Sequence, residues 1–167
     1  KRSAADTQRR TDFIRRKFVN NQSVLDVGSG YGFFIKAISG AGFKTTGLEV
    51  SSVRRKISKT LTNIPLLPKA ITGPNITKNR YDIITLFHVL EHIKDPIKLC
   101  ADIKSYLKKD GTLIVEIPNT NHYLLKIATM GMFDQAKNLL QMQRQAKDIK
   151  KKLANIHIEA EVEGVII

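Results

Sequence analysis

The chain has 167 residues, 42% hydrophobic and 26% charged, the composition of one globular domain with room for a sizeable core. No apolar run approaches the roughly 20 residues that cross a bilayer, and a single cysteine, Cys100, excludes a disulfide framework or a cysteine-based zinc site. The formal charge of +13 suits an acidic partner, nucleic acid or an anionic membrane surface, or else lysines on solvated helix faces. The basic residues are dispersed and not interleaved with aromatics, which favours solvated faces. The chain opens on Lys-Arg and closes on Val-Ile-Ile, so it reads as a fragment of a longer protein. No apolar segment follows the opening charges as a signal peptide would require. A lone cysteine in an apolar-periodic stretch reads as a small core residue and fits a reducing cytoplasm, the expected location.

Residues 6–19 predict a basic helix with Phe13, Ile14 and Phe18 on one side, broken at Asn20-Asn21. SVLDV (23–27) predicts a first strand, followed by a glycine turn, and YGFFIKAIS a helix stopped by Gly40 and Gly42. FKTTGLEV (43–50) predicts a second strand, after which Ser51 or Ser52 can cap a basic helix reaching about Leu61. PLLPKAITG (65–73) is a candidate third strand that its two prolines would confine to an edge or make irregular. Residues 74–80 predict a loop, and YDIITLFHV (81–89) a fourth strand buried on both faces. Asp95-Pro96 starts a helix with Ile97, Cys100, Ile103 and Leu107 on its core face. Asp110-Gly111 then turns the chain into a fifth strand, TLIVEIP (112–118).

Strands alternating with helices predict an α/β fold: a doubly wound, Rossmann-like, mostly parallel sheet with helices on both faces. After residue 120 a helical C-terminal extension (121–167) is expected, interrupted at Gly131. Leu139, Met142, Ala146, Ile149, Leu153 and Ile156 are spaced either for a short oligomerising coil over 132–156 or for an amphipathic helix packed on the core. IHIEAEVEG reads as a last strand or as more helix. The domain division expected is a core over 1–120, including the N-terminal helix (1–19), and the extension.

Three features fall at carboxyl ends of predicted strands, where doubly wound sheets bind ligands: LDVGSGYG (25–32), Glu49, and Phe87 to His92. No Gly-Lys-Ser/Thr ends the turn, which argues against nucleoside triphosphate hydrolysis. Glycines at 28, 30 and 32, with Phe33 where a third fingerprint glycine would stand, argue against a dinucleotide. Asp26 suits a ligand with positive charge, and Glu49, 21 residues after Gly28, stands near the spacing of an acid that binds ribose hydroxyls. Ribose without pyrophosphate, plus a cation, describes S-adenosylmethionine.

LDVGSGYG, GLEVS, YDIITLFHVLEHIKDP and GTLIVEIPN together resemble a class I S-adenosylmethionine-dependent methyltransferase, of the broad group with an H-V-L-E-H segment after the fourth strand. The resemblance covers about residues 20–120. It implies a seven-stranded sheet with an antiparallel last strand. It also implies that Gly28, Ser29, Gly30 and Gly32 approach the methionine moiety and that Asp26 bonds near its amino group. Glu49 would take the ribose hydroxyls, Val50 and Phe87 would border the cofactor, and His88 would sit where the methyl group meets its acceptor. Relatives often carry an acid after the third strand for the adenine amine. None stands in LLPKAITG, which puts adenine contacts near Ala70 and Ile71 in doubt.

Methyl transfer from a sulfonium is an in-line displacement dominated by alignment. His88 is the candidate general base, if the acceptor keeps its proton, or a loop-ordering residue. Glu91 and His92 are candidate catalytic residues or ties to the following helix. The function expected is transfer of a methyl group, at oxygen, to a small-molecule or glycan- or lipid-linked acceptor. Two alternatives stand beside it. One is a methyltransferase-like assembly module. The other is a metal-assisted RNA 2′-O-methyltransferase in which His88, Glu91 and His92 would hold a divalent ion and the basic surface would hold RNA.

Overall fold

The computed structural model describes residues 2–71, 78, 80–117, 144, 157–162 and 165–166. In chain order these form α1 (Arg2–Lys17), β1 (Ser23–Val27), α2 (Phe33–Gly40), β2 (Lys44–Leu48), α3 (Ser52–Thr62) and β3 (Tyr81–Phe87). A short 3-10 turn (Leu90–His92), α4 (Pro96–Lys104), β4 (Leu107–Ile117), β5 (His157–Val162) and β6 (Val165–Ile166) follow. The strands build one sheet in the order β2-β1-β3-β4-β5-β6, parallel throughout except for β6, which runs antiparallel to β5. This is the expected α/β architecture.

The central strands are buried on both faces, which is why they read as continuous apolar runs rather than alternating ones. Val24, Ile83 and Ile114 point to the face covered by Phe13 and Ile14 of α1 and by Phe34 and Ile38 of α2. Leu25, Ile84, Leu86 and Leu113 point to the other face, where Cys100 and Ile103 of α4 meet them. Cys100 is the small core residue its surroundings predict, and burial pushes its thiol up to about 11.

Local chemistry sets the helix ends. Ser51 caps α3 by accepting from the Arg54 N–H at 3.4 Å, and Asp95 caps α4 by accepting from the Lys98 N–H at 2.9 Å, with Pro96 at the first position. α1 ends before Asn21, whose φ of 73° breaks helical continuity. α3 lies close to the start of α2 because Gly32, at φ 77°, carries no side chain. A Cβ there would run into Ser58 Oγ, with Thr62 Oγ1 3.2 Å away. Ser58 and Thr62 are buried hydroxyls that bond locally, Thr62 to the Ser58 carbonyl at 2.7 Å and Ser58 to the Ile64 carbonyl at 3.2 Å. Gly32→Ala therefore combines left-handed strain with overpacking. It should cost about 1–3 kcal/mol, seen as a lower urea midpoint with an unchanged slope.

Four expectations are corrected or fall outside. Over 65–71, the described part of the 65–73 candidate, there is no regular strand: among the described residues a single parallel bridge, Leu48 to Leu67, lies beyond β2, since the flanking Pro65 and Pro68 cannot donate to a ladder. Asp110-Gly111 does not start a new strand after a turn. β4 already begins at Leu107, and the dipeptide is absorbed where the register jumps from Tyr81↔Leu107 to Ile83↔Thr112. Leu107 consequently belongs to β4, while Cys100 and Ile103 keep the core face of α4, and the side chain of Ile97 lies outside the described set. Apart from Arg144, which is helical, the extension over 121–156 also lies outside the described residues, and with it the interruption at Gly131 and the spaced positions from Leu139 to Ile156. The described part of IHIEAEVEG takes the strand reading, with His157–Val162 as β5 beside β4.

Candidate functional site

β2 lies on one side of β1 and β3 on the other, so the sheet changes direction of growth between β1 and β3. The carboxyl ends there open a crevice. The glycine turn is fastened to one wall: the N–H groups of Gly28 and Ser29 both donate to the Leu48 carbonyl at the end of β2, at 2.9 and 2.8 Å. Gly28, Gly30 and Gly32 all have left-handed φ, 77°, 56° and 77°. They serve different ends. A Cβ at Gly28 would stand 2.7 Å from Val89 Cγ2, so the loop after β3 closes against the turn there. Gly30 faces open space, with nothing among the described residues within 4 Å of where a Cβ would be. The turn thus presents bare backbone to the crevice at one position.

Two buried carboxylates flank that position. Asp26, 3% exposed, accepts from Thr85 Oγ1 of β3 at 2.7 Å. Burial pushes its carboxyl up to about 6, against the pull of the Thr85 and Ser29 hydroxyls and of the Arg10 charge. Glu49, 2% exposed, accepts from the Gly30 N–H at 3.0 Å and from the Ser51 N–H at 2.8 Å, so one side chain links the turn, the end of β2 and the start of α3. Arg54 stands 3.7 Å from it, and Arg55 donates to the carbonyls of Glu49 and Val50 at 2.8 and 2.7 Å. The Val50 side chain is exposed at the rim, whereas Ile71 is committed to the core.

The third wall follows β3. The Phe87 ring meets Phe34 edge-on at 4.9 Å, and the Arg10 guanidinium lies 4.5 Å above its centroid. His88 leaves the strand at φ 55°, held there by donating its N–H to the Glu116 carbonyl at 2.9 Å. Its Nε2 is 3.0 Å from Glu116 Oε1 and its Nδ1 is 3.4 Å from Glu91 Oε1. Hydrogen bonds to Glu116 and Glu91 raise its pKa from 6.5 to about 9. Glu116 has no exposed side-chain surface and also receives Arg9 Nη2 at 3.0 Å and a two-pronged contact from Arg10. Burial would push its carboxyl up, but His88 and the arginines outweigh that and bring it to about 2.

The predicted residues therefore come together as Asp26, the turn and Glu49 on one side and Phe87 and His88 on the other. Glu91 ties to His88 rather than to α4. His92 stays exposed in the 3-10 turn, outside that contact set. The divalent-ion alternative is not assembled: both His88 ring nitrogens face carboxylates, and among the described residues no three His, Cys, Asp or Glu side chains could share an ion. Four participants escaped the sequence reading. Thr85 and Glu116 are polar residues within the apolar runs IITLF (83–87) and LIVEI (113–117), a signal that was available. Arg9 and Arg10 were legible only as part of a dispersed basic charge, of which these two turn inward. No described helix is long and apolar enough to cross a membrane.

Comparison with known proteins bears on the family and the fold. A family model described as "Methyltransferase domain" matches residues 2–158. The chain is 29% identical over 123 residues to a ubiquinone biosynthesis O-methyltransferase of Actinobacillus pleuropneumoniae serotype 7, covering 66% of this chain and 52% of the relative. It thus spans about half the length of the curated relatives it matches. Among solved structures, the plantazolicin methyltransferase BpumL, in complex with a monoazolic desmethylPZN analog and SAH, superposes with a TM-score of 0.64. That likeness is 19% identical and covers 90% of this chain and 63% of that one. The [4+2]-cyclase SpnF superposes with a TM-score of 0.57 at 21% identity, covering 63% of this chain and 42% of that one. The same fold thus carries another chemistry, and the assignment to methyltransferases rests on the sequence model. With 157 of its 167 residues matched (2–158 inclusive), the chain belongs to the methyltransferase domain family, the class I S-adenosylmethionine-dependent methyltransferases.

Proposed function

We propose that the chain is the cofactor-binding core of an enzyme that methylates an oxygen of a small-molecule acceptor, with S-adenosylmethionine as donor. The observation that carries this reading is the open backbone at Gly30 between two buried carboxylates, Asp26 and Glu49. Asp26 would meet the amino group of the methionine moiety. Gly28, Ser29, Gly30 and Gly32 would shape the turn against that moiety, and Glu49 would take the ribose hydroxyls. Val50 and Phe87 would border the cofactor, and His88, with Glu91 beside it, would face the acceptor. His92, exposed and outside their contacts, gains no support as a catalytic residue. The carboxylates fit a cationic, hydroxyl-bearing ligand and would repel a pyrophosphate. When bound, S-adenosylmethionine supplies an electrophilic methyl group on a sulfonium. The chain's own contribution is to align it and to keep water from its face. Oxygen as the methylated atom is supported by the relatives named O-methyltransferases.

Titration calorimetry tests the reading. S-adenosylhomocysteine, the demethylated product, should bind one-to-one with a dissociation constant in or below the micromolar range, about −8 kcal/mol. No heat of binding at millimolar ligand would overturn it.

A further inference from the structure

His88 stands at the carboxyl end of β3, the place a general base for methyl transfer would occupy, yet its surroundings are wrong for a base. A neutral imidazole has one donor and one acceptor nitrogen. Here both nitrogens face carboxylate oxygens, Glu116 from β4 and Glu91 from its own turn, and neither carboxylate can donate when ionised. Hydrogen on both ring nitrogens satisfies both contacts, the shorter to Glu116 at 3.0 Å and the longer to Glu91 at 3.4 Å. Glu116 is itself held by Arg9 and Arg10 of α1, Arg10 Nη2 sharing with His88 the same oxygen, Oε1, which restrains it from withdrawing from His88. Asp6, 3.7 Å from Arg9 Nη2, brings the local charges to three cations against three carboxylates, and with both nitrogens turned to carboxylates the half-exposed imidazole has no lone pair free to take an acceptor's proton.

We propose that Glu116 is a positioning residue that, braced by Arg9 and Arg10, holds His88 in its doubly protonated form, so that the site accepts an acceptor oxygen already carrying negative charge. This rests on the methyltransferase reading and names its acceptor class: an oxyanion, either a carboxylate or an ionised phenol. Such an oxygen gives its lone pair to the methyl carbon while the S–C bond breaks toward sulfur. Positive and negative charge cancel and no proton leaves, so no base is required. The strongly raised basicity of the His88 ring agrees with the geometry. The contribution of that charge to stability is complete below pH 6.5 and is lost as pH rises through about 9.

The test uses the full chain. The His88 ring resonances, followed by NMR from acid to alkaline pH, should show the imidazole still protonated at about pH 8 and should shift toward an ordinary histidine titration in Glu116→Gln. Glu91→Gln provides the same readout should Glu116→Gln fail to fold. In protein saturated with S-adenosylhomocysteine, benzoate and 4-nitrophenolate should perturb those resonances and bind about tenfold or more tighter than benzyl alcohol. Preference for benzoate would point to a carboxylate acceptor, and preference for 4-nitrophenolate to an ionised phenol. His88→Asn, which tolerates the left-handed backbone, should abolish the difference. A His88 ring neutral at pH 7, or benzyl alcohol binding as tightly as the anions, would overturn the proposal. Failure of S-adenosylhomocysteine to bind would instead strike the methyltransferase reading, while the ring titration would still report on His88.

Discussion

Glu49→Ala is expected to weaken S-adenosylhomocysteine binding by about 1.5–3 kcal/mol, roughly ten- to a hundred-and-fifty-fold in dissociation constant. The size follows from what the carboxylate already does. It is buried and accepts from the N–H groups of Gly30 and Ser51 at 3.0 and 2.8 Å, so the turn, the end of β2 and the cap of α3 share one anion. Removing it takes away the proposed ribose partner and also leaves the Gly30 N–H without its acceptor beside the open position. Glu49→Gln should fall between wild type and Ala, because one carbonyl oxygen survives while its amide nitrogen confronts a backbone donor. Calorimetry on the three proteins separates the cases. Dissociation constants equal within twofold would reject a ribose role for Glu49. A matching drop in urea midpoint for Ala alone would identify the part of the loss that comes from the loosened turn.

The glycine-turn side of this crevice was readable because its determinants are local. Asp26 and the glycines lie within seven residues, and the glycine spacing reports backbone conformation directly, as the three left-handed φ values bear out. The Asp95-Pro96 helix start and the buried strands of the core are likewise properties of short stretches. The surroundings of His88 were not readable, because their determinants are contacts across the sequence. Glu116 receives Arg9 and Arg10 over separations of 107 and 106 residues, and no periodicity announces such a pair. The sequence left His88 open between a general base and a loop-ordering residue. Its two carboxylate neighbours, one of them a strand away, are the contacts that bear on that choice. The same limit explains Asp110-Gly111. Alone it is a strong turn signal, but opposite β3 it becomes extra strand residues, accommodated between Tyr81 and Ile83.

Asp26 gives the sharpest pH dependence. Its folded carboxyl sits near 6 instead of the ordinary 3.8 because burial disfavours the anion more than Thr85 and Ser29 favour it. The sign follows from proton counting. Between those two pH values the folded protein holds more proton than the unfolded chain, so ionising Asp26 lowers stability as pH rises through the window. A ligand amino group beside Asp26 would favour the anion and displace that proton. Affinity for S-adenosylhomocysteine should therefore be flat above about pH 6 and fall about tenfold per unit below it, until the free acid predominates in both states. Asp26→Asn keeps an oxygen to accept from Thr85 and removes the buried charge. It should raise the melting temperature at neutral pH while losing cofactor affinity and flattening the pH profile, as expected where a binding site is maintained against the stability of the fold. Calorimetry across pH 4.5–8, with thermal melts of both proteins, checks the pair of outcomes. If Asp26→Asn is less stable and binds normally, the carboxylate is part of the scaffold rather than of the site.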